Sequence, residues 1–134
     1  MENKPSVVMM GLGYIGLPTA ALIAKNKTYV HGVDINPKVV ETINAGKIHI
    51  VEPDLDILVK SAVNIGNLKA SLEPIAADIY IIAVPTPFKD GHQPDLSYVE
   101  AATQLIAPLV QKGNLIILES TSPVGTTDIV AQIL

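Results

Sequence analysis

The residues best suited to chemistry are three glycines spaced as Gly11-x-Gly13-x-x-Gly16 and a carboxylate, Asp34, 23 residues after the first of them. Backbone amides without intervening side chains can close on a pyrophosphate, and a carboxylate can accept hydrogen bonds from both hydroxyls of a ribose. At about 7% glycine the three-glycine spacing arises by chance in a chain of this length about one time in twenty-five. Its flanks add the specificity that the spacing lacks. The motif lies between a predicted strand, Ser6–Met10, and the alanine-rich, helix-favouring stretch Pro18–Lys25. Asp34 closes the next strand, Tyr29–Val33, close to the interval of roughly 20 residues that dinucleotide sites use. In that reading Gly11 allows the tight turn, Gly13 lets amides approach the pyrophosphate and Gly16 lets the helix pack on the strand. The plainer reading, a tight β–α turn beside a solvated acid, needs both spacings and both flanks to coincide. Asp34 would also repel a 2′-phosphate, and all nine basic residues are lysines, so no arginine is present to offset it. NAD is expected rather than NADP.

Two further blocks follow apolar strands at their carboxyl ends, where doubly wound sheets hold ligands: Val84-Pro-Thr-Pro87 and Glu119-Ser-Thr-Ser-Pro123. The prolines around Thr86 either stiffen a binding loop or simply stop a strand. Ser120, Thr121, Ser122, Thr126 and Thr127 could donate to a ligand, and at least one is expected to cap the last helix. His31, His49 and His92 are dispersed, no metal-ligand spacing is present, and no metal is assigned. Asp54 and Asp56 sit near a helix start, where negative charge complements the helix dipole, and Asp90 and Asp95 read as loop and cap residues.

These residues need a scaffold that brings strand ends together. The strands expected are Ser6–Met10, Tyr29–Val33, Leu68–Ser71, Ile79–Val84 and Leu115–Leu118. Helices are expected over Pro18–Lys25, from Asn36-Pro37 to near Gly46, from Pro53-Asp54 to Ile65, from an Asp95 cap through Val110, and from Gly125 onward, still running at Leu134. On the fourth helix Val99, Ala102, Leu105, Ile106 and Leu109 form one apolar face, and residues 88–94 read as a loop. This alternation specifies an α/β, Rossmann-type, doubly wound and mostly parallel sheet in a single domain over 1–134. The composition, 49% hydrophobic and 16% charged, suits a buried sheet. A net charge of -4 is the wrong sign for a nucleic-acid binder. The longest apolar run, Ile79–Val84, is far short of the roughly 18 residues of a membrane helix, so no membrane partner and a cytoplasmic location are expected. There is no cysteine, hence no disulfide, thiolate metal site or thiol nucleophile in this chain.

From about Val7 to its end the chain resembles the nucleotide-sugar 6-dehydrogenases, the UDP-glucose/GDP-mannose dehydrogenase family. The blocks that carry the resemblance are Gly11-Leu-Gly-Tyr-Ile-Gly-Leu-Pro18, Val33-Asp-Ile-Asn36, Ala83-Val-Pro-Thr-Pro87 and Ile117-Leu-Glu-Ser-Thr-Ser-Pro-Val-Gly-Thr-Thr127. The resemblance implies cofactor contacts from Gly11, Gly13, Tyr14, Ile15, Gly16, Asp34, Val84, Pro85, Thr86, Thr121 and Thr127. Thr121 would sit near the nicotinamide and the reacting carbon in a supporting role. Glu119 either bears on the same site or is a strand-end acid, and it is left out of the catalytic assignment. The implied reaction oxidises a primary alcohol to a carboxylate with two NAD and uses a cysteine nucleophile, which this chain lacks. The family's catalytic cysteine and lysine and its nucleotide-sugar domain would lie beyond Leu134, so the chain is expected to be the amino-terminal cofactor domain of a longer enzyme, inactive alone. The longer protein is expected to be a homo-oligomer.

Within the family, Ile48–Leu55 and Pro94–Glu100 resemble the members that act on UDP-N-acetyl-D-mannosamine for bacterial surface polysaccharides. UDP-N-acetylglucosamine and UDP-glucose remain alternatives. Two readings of other classes stand beside these. A stand-alone NAD-sensing module would need a compact end and an interaction surface, and a methyltransferase-like domain would share only the glycine loop and the acid after the second strand.

Overall fold

The computed structural model describes residues 5–89, 93–119 and 126–134. In chain order the elements are β1 (Val7–Met10), α1 (Gly16–Lys25), β2 (Val30–Val33), α2 (Pro37–Asn44), α3 (Leu55–Asn64), β3 (Leu68–Ser71), β4 (Ile79–Ile82), β5 (Phe88–Lys89), β6 (Gln93–Pro94), α4 (Ser97–Ile106), β7 (Leu115–Leu118) and α5 (Thr126–Ile133). Five strands form one sheet in the order β3-β2-β1-β4-β7, and every neighbouring pair is parallel. The chain moves outward from β1 through β2 to β3, then returns to the other side of β1 for β4 and β7. The strand order therefore reverses beside β1, where doubly wound sheets open a crevice for ligands. This is the expected Rossmann-type α/β arrangement.

Because alternate strand residues face opposite ways, β1 feeds two cores. Val7 and Met9 pack with Leu17, Ala20 and Ala24 of α1 and with Leu55, Val59 and Ala62 of α3. Val8 and Met10 pack on the other face with Val99 and Ile106 of α4 and Val130 of α5. Helices on both faces explain why the strands read as continuous apolar runs rather than as alternating ones.

Several element limits differ from expectation, each for a local reason. α1 begins at Gly16, so Pro18 lies inside its first turn, where a missing N–H costs no helical bond. α2 starts as expected: the Asn36 side chain accepts from Lys38 N at 3.0 Å, and Pro37 follows as the first helical residue. Asp54 precedes α3 in the left-handed region, φ 63°, and makes no capping bond, so of the acid pair only Asp56 lies in the first turn. α4 spans Ser97–Ile106 rather than reaching Val110, because Pro108 can neither donate a helical bond nor fit beside the preceding turn. Asp95 acts one residue early: its Oδ1 accepts from Ser97 N at 2.9 Å, and Leu96 is the N-cap. Phe88–Lys89 and Gln93–Pro94, expected as loop, pair as a short antiparallel ribbon. Asp90-Gly91, between them in sequence, is a hairpin dipeptide, a signal that a loop reading passes over. α5 is described from Thr126, and its expected start at Gly125 lies outside the described residues.

Candidate functional site

β1 ends where Gly11 turns the chain, with its N–H donating to the Val33 carbonyl at 2.8 Å. Gly11 has φ +101°, and a Cβ there would lie 2.6 Å from the Ala83 carbonyl oxygen, so geometry and packing both demand glycine. A Cβ on Gly16 would collide with the Gly11 carbonyl, which brings the start of α1 directly onto the turn. Gly13 differs from both: a Cβ there would meet nothing within 4 Å. Its freedom from a side chain serves the open space above the turn, not the packing beneath it.

Leu12 points the other way and is fully buried. A Cβ on Gly32 of β2 would approach Leu12 Cδ2 to 2.7 Å, so Gly32 makes the room that lets the glycine turn sit on the sheet. Sequence reasoning did not single out Gly32. The available signal was a glycine inside an apolar strand, which marks a close approach.

Asp34 follows β2 and is half-buried. Its Oδ2 accepts from Leu12 N at 3.1 Å and its Oδ1 from Asn36 N at 3.0 Å. The glycine turn and the start of α2 thus fix the carboxylate from both sides, and each oxygen retains lone-pair capacity for a further donor. Two grooves meet at this carboxylate, sharing Gly11, Asp34, Val84 and Pro85. One, of about 300 Å³, runs over Gly13, Tyr14 and Ile15. The other, of about 190 Å³, is walled by Val33, Ile35, Tyr98 and Leu105.

The second groove corrects the expected apolar face of α4. Val99, Ala102 and Ile106 enter the core with Thr103, but Leu105 is 45% exposed and lines the groove with Tyr98 and Ala101. α4 therefore carries two stripes: one faces the sheet, and residues 98, 101, 102 and 105 face the groove at helical spacing. Ile35, 75% exposed beside Asp34, is the matching wall and was also missed. An exposed isoleucine after a strand-end acid was its signal.

This arrangement fits a dinucleotide. An apolar slot beside a carboxylate suits a base and its ribose, and an unobstructed glycine turn at a helix start suits a pyrophosphate. Of the remaining expected residues, Thr86 is half-buried on the loop after Pro85, and Thr127 is exposed in the first turn of α5. Neither lines the two grooves. Thr121, Ser120, Ser122, Asp90 and His92 lie outside the described residues. His31 is buried within β2, with Nε2 2.9 Å from the Glu73 carbonyl, and it lines neither groove. Glu119 is the first residue after β7, and its Oε1 accepts from the Thr19 hydroxyl of α1 at 2.7 Å, a contact with no local sequence signal.

Comparison with known proteins agrees with this geometry. The family model for the UDP-glucose/GDP-mannose dehydrogenase family, NAD binding domain, matches residues 5–134. UDP-N-acetyl-D-mannosamine dehydrogenase of Campylobacter jejuni is 62% identical over 133 residues, covering 98% of this chain and 33% of its own. NDP-N-acetyl-D-galactosaminuronic acid dehydrogenase of Ralstonia nicotianae is 59% identical over 123 residues, 92% of this chain and 29% of its own. The structure of the UDP-N-acetyl-mannosamine dehydrogenase Cap5O from Staphylococcus aureus matches with a TM-score of 0.90 at 42% identity, over 96% of this chain and 32% of that one. The chain spans about a third of the length of these relatives. With the glycine turn, the anchored carboxylate and the parallel sheet already in place, the conclusion is direct: the chain belongs to the UDP-glucose/GDP-mannose dehydrogenase family and is its NAD-binding domain.

Proposed function

We propose that this chain is the cofactor-binding part of a UDP-N-acetyl-D-mannosamine 6-dehydrogenase, a cytoplasmic homo-oligomer that oxidises the sugar's C6 alcohol to a carboxylate with two NAD. The observation that carries the cofactor assignment is the Asp34 carboxylate, tied by Leu12 N–H to the glycine turn at the junction of two grooves. In this reading Asp34 takes the adenosine ribose hydroxyls, and Ile35, Tyr98 and Leu105 wall the adenine. Gly11, Gly13, Tyr14, Ile15 and Gly16 hold the pyrophosphate, and Val84 and Pro85 form the shared wall. Thr86, Thr121 and Thr127 lie toward the nicotinamide, with Thr121 supporting the reacting carbon.

NAD supplies the hydride acceptor when bound; this chain's residues bind and orient it. With no cysteine among the 134 residues, the nucleophile that retains the aldehyde between two hydride transfers belongs to the rest of a longer protein. The sugar rests on the names of the relatives. Since the Ralstonia relative, named for another N-acetylated sugar, is 59% identical, an N-acetyl-D-galactosamine nucleotide is the second reading. The acetamido group needs its own hydrogen-bond partners and a pocket of the right shape.

A coupled assay of the full-length protein with each nucleotide sugar at equal concentration tests the assignment. UDP-N-acetyl-D-mannosamine is expected to give the largest kcat/KM and two NADH per sugar. A larger value with UDP-N-acetylglucosamine, UDP-glucose or the galactosamine nucleotide overturns the sugar, and no NADH from any of them overturns the dehydrogenase.

A further inference from the structure

Neither the phosphate turn nor the ribose contact uses Glu119. Its backbone is pinned to the end of β4, with N–H donating to the Ile82 carbonyl at 2.8 Å. Its side chain is half-buried and held by Thr19, whose hydroxyl oxygen lies 2.7 Å from Glu119 Oε1 and 3.1 Å from the Ile15 carbonyl. The single hydroxyl proton can serve one of these acceptors at a time, and the charged carboxylate is the stronger. One side chain thus connects a carboxylate at the carboxyl edge of the sheet to Ile15, which lines the groove over the glycine turn.

A dinucleotide lies across the crevice of a doubly wound sheet, one mononucleotide over each half. With the adenosine at Asp34, after β2, the nicotinamide half falls over the ends of β4 and β7, and Glu119 is the first residue after β7. The oxidised nicotinamide ring carries a positive charge that the reduced ring lacks, while the phosphates, riboses and adenine are the same in both. An anion at the adenosine end cannot tell the two forms apart. An anion at the nicotinamide end can.

We propose that the Glu119 carboxylate, positioned by the Thr19 hydroxyl, makes this site prefer the oxidised cofactor over the reduced one. The inference rests on the NAD reading above and deepens it. An enzyme that uses two NAD per sugar must exchange reduced for oxidised cofactor between the two hydride transfers, and weaker holding of the reduced form favours that exchange. The effect is moderate, because the carboxylate is only half-buried and solvent screens its field.

The test is titration of NAD⁺ and NADH into the full-length protein and its Glu119→Gln, Thr19→Val and Thr19→Ser variants, at low and at raised salt. Glutamine keeps the acceptor for Thr19 and removes only the charge. The ratio of the NADH to the NAD⁺ dissociation constant is expected to fall about three- to tenfold in Glu119→Gln through weaker NAD⁺ binding. It is expected to fall less in Thr19→Val and to recover in Thr19→Ser. In the unmodified protein the ratio should shrink as salt rises. An unchanged ratio in Glu119→Gln, whether both affinities hold or both drop together, overturns the proposal. Absence of binding of either cofactor to the unmodified protein sinks the NAD reading itself.

Discussion

The three glycines of the turn share a motif but answer to different constraints, and substitution separates them. Gly16→Ala drives a methyl group into the Gly11 carbonyl, so loss of stability of at least about 1–3 kcal/mol is expected in chemical denaturation. Gly13→Ala meets open space, so stability should stay within about 0.5 kcal/mol of the original while NAD affinity falls. If Gly13→Ala unfolds the protein, or leaves NAD binding intact, Gly13 does not face the pyrophosphate. Asp34→Ala removes the carboxylate proposed to hold the ribose hydroxyls and releases Leu12 N–H, so calorimetry should find NAD at least about tenfold weaker and the discrimination against NADP narrowed. At this scale the sequence was informative where backbone geometry dictates residue type, as at Gly11 and Asp34. It was silent on Thr19 and Glu119, because a contact between residues 100 positions apart leaves no local pattern.

Elements were legible wherever a single period or a capping residue decides them. The Asn36-Pro37 start of α2 and the apolar runs of β1, β4 and β7 needed nothing beyond local chemistry. α4 was misread where two demands share one helix: Leu105 fits the core's spacing yet lines the groove, and Pro108 cuts the helix short. The outer edge of the sheet shows another feature hidden from the sequence. Asn44, the last residue of α2, pairs with the backbone of edge strand β3, donating Nδ2–H to the Ala70 carbonyl at 2.9 Å and accepting from Ala70 N at 2.8 Å. The side chain stands in for a missing neighbouring strand. Asn44→Leu strands both Ala70 groups, and a loss of about 1–3 kcal/mol is expected. Urea unfolding of the variant checks it, and a loss below about 0.5 kcal/mol would mean that water replaces the clamp.

For the molecule as a whole, strand order converts scattered motifs into a site. Gly11, Asp34 and Pro85 are far apart in sequence and adjacent in space because β1, β2 and β4 are neighbours with their carboxyl ends on one edge. The α/β class followed from the alternation of periods, and the binding edge followed from the class. The apolar groove wall did not, since it depends on how α4 leans over the sheet. A chain with no cysteine has no thiol to form the thioester step, so the purified 134-residue chain should produce no NADH from UDP-N-acetyl-D-mannosamine, and turnover above background would refute that division of labour.

Calorimetric titration of NAD and NADP into the unmodified protein puts the Asp34 site at stake. NAD should bind at least about tenfold more tightly, because in the proposed site Asp34 would accept from the free ribose hydroxyls and would face a 2′-phosphate with no arginine in this chain to neutralise it. Equal dissociation constants for the two cofactors, or tighter binding of NADP, would contradict it.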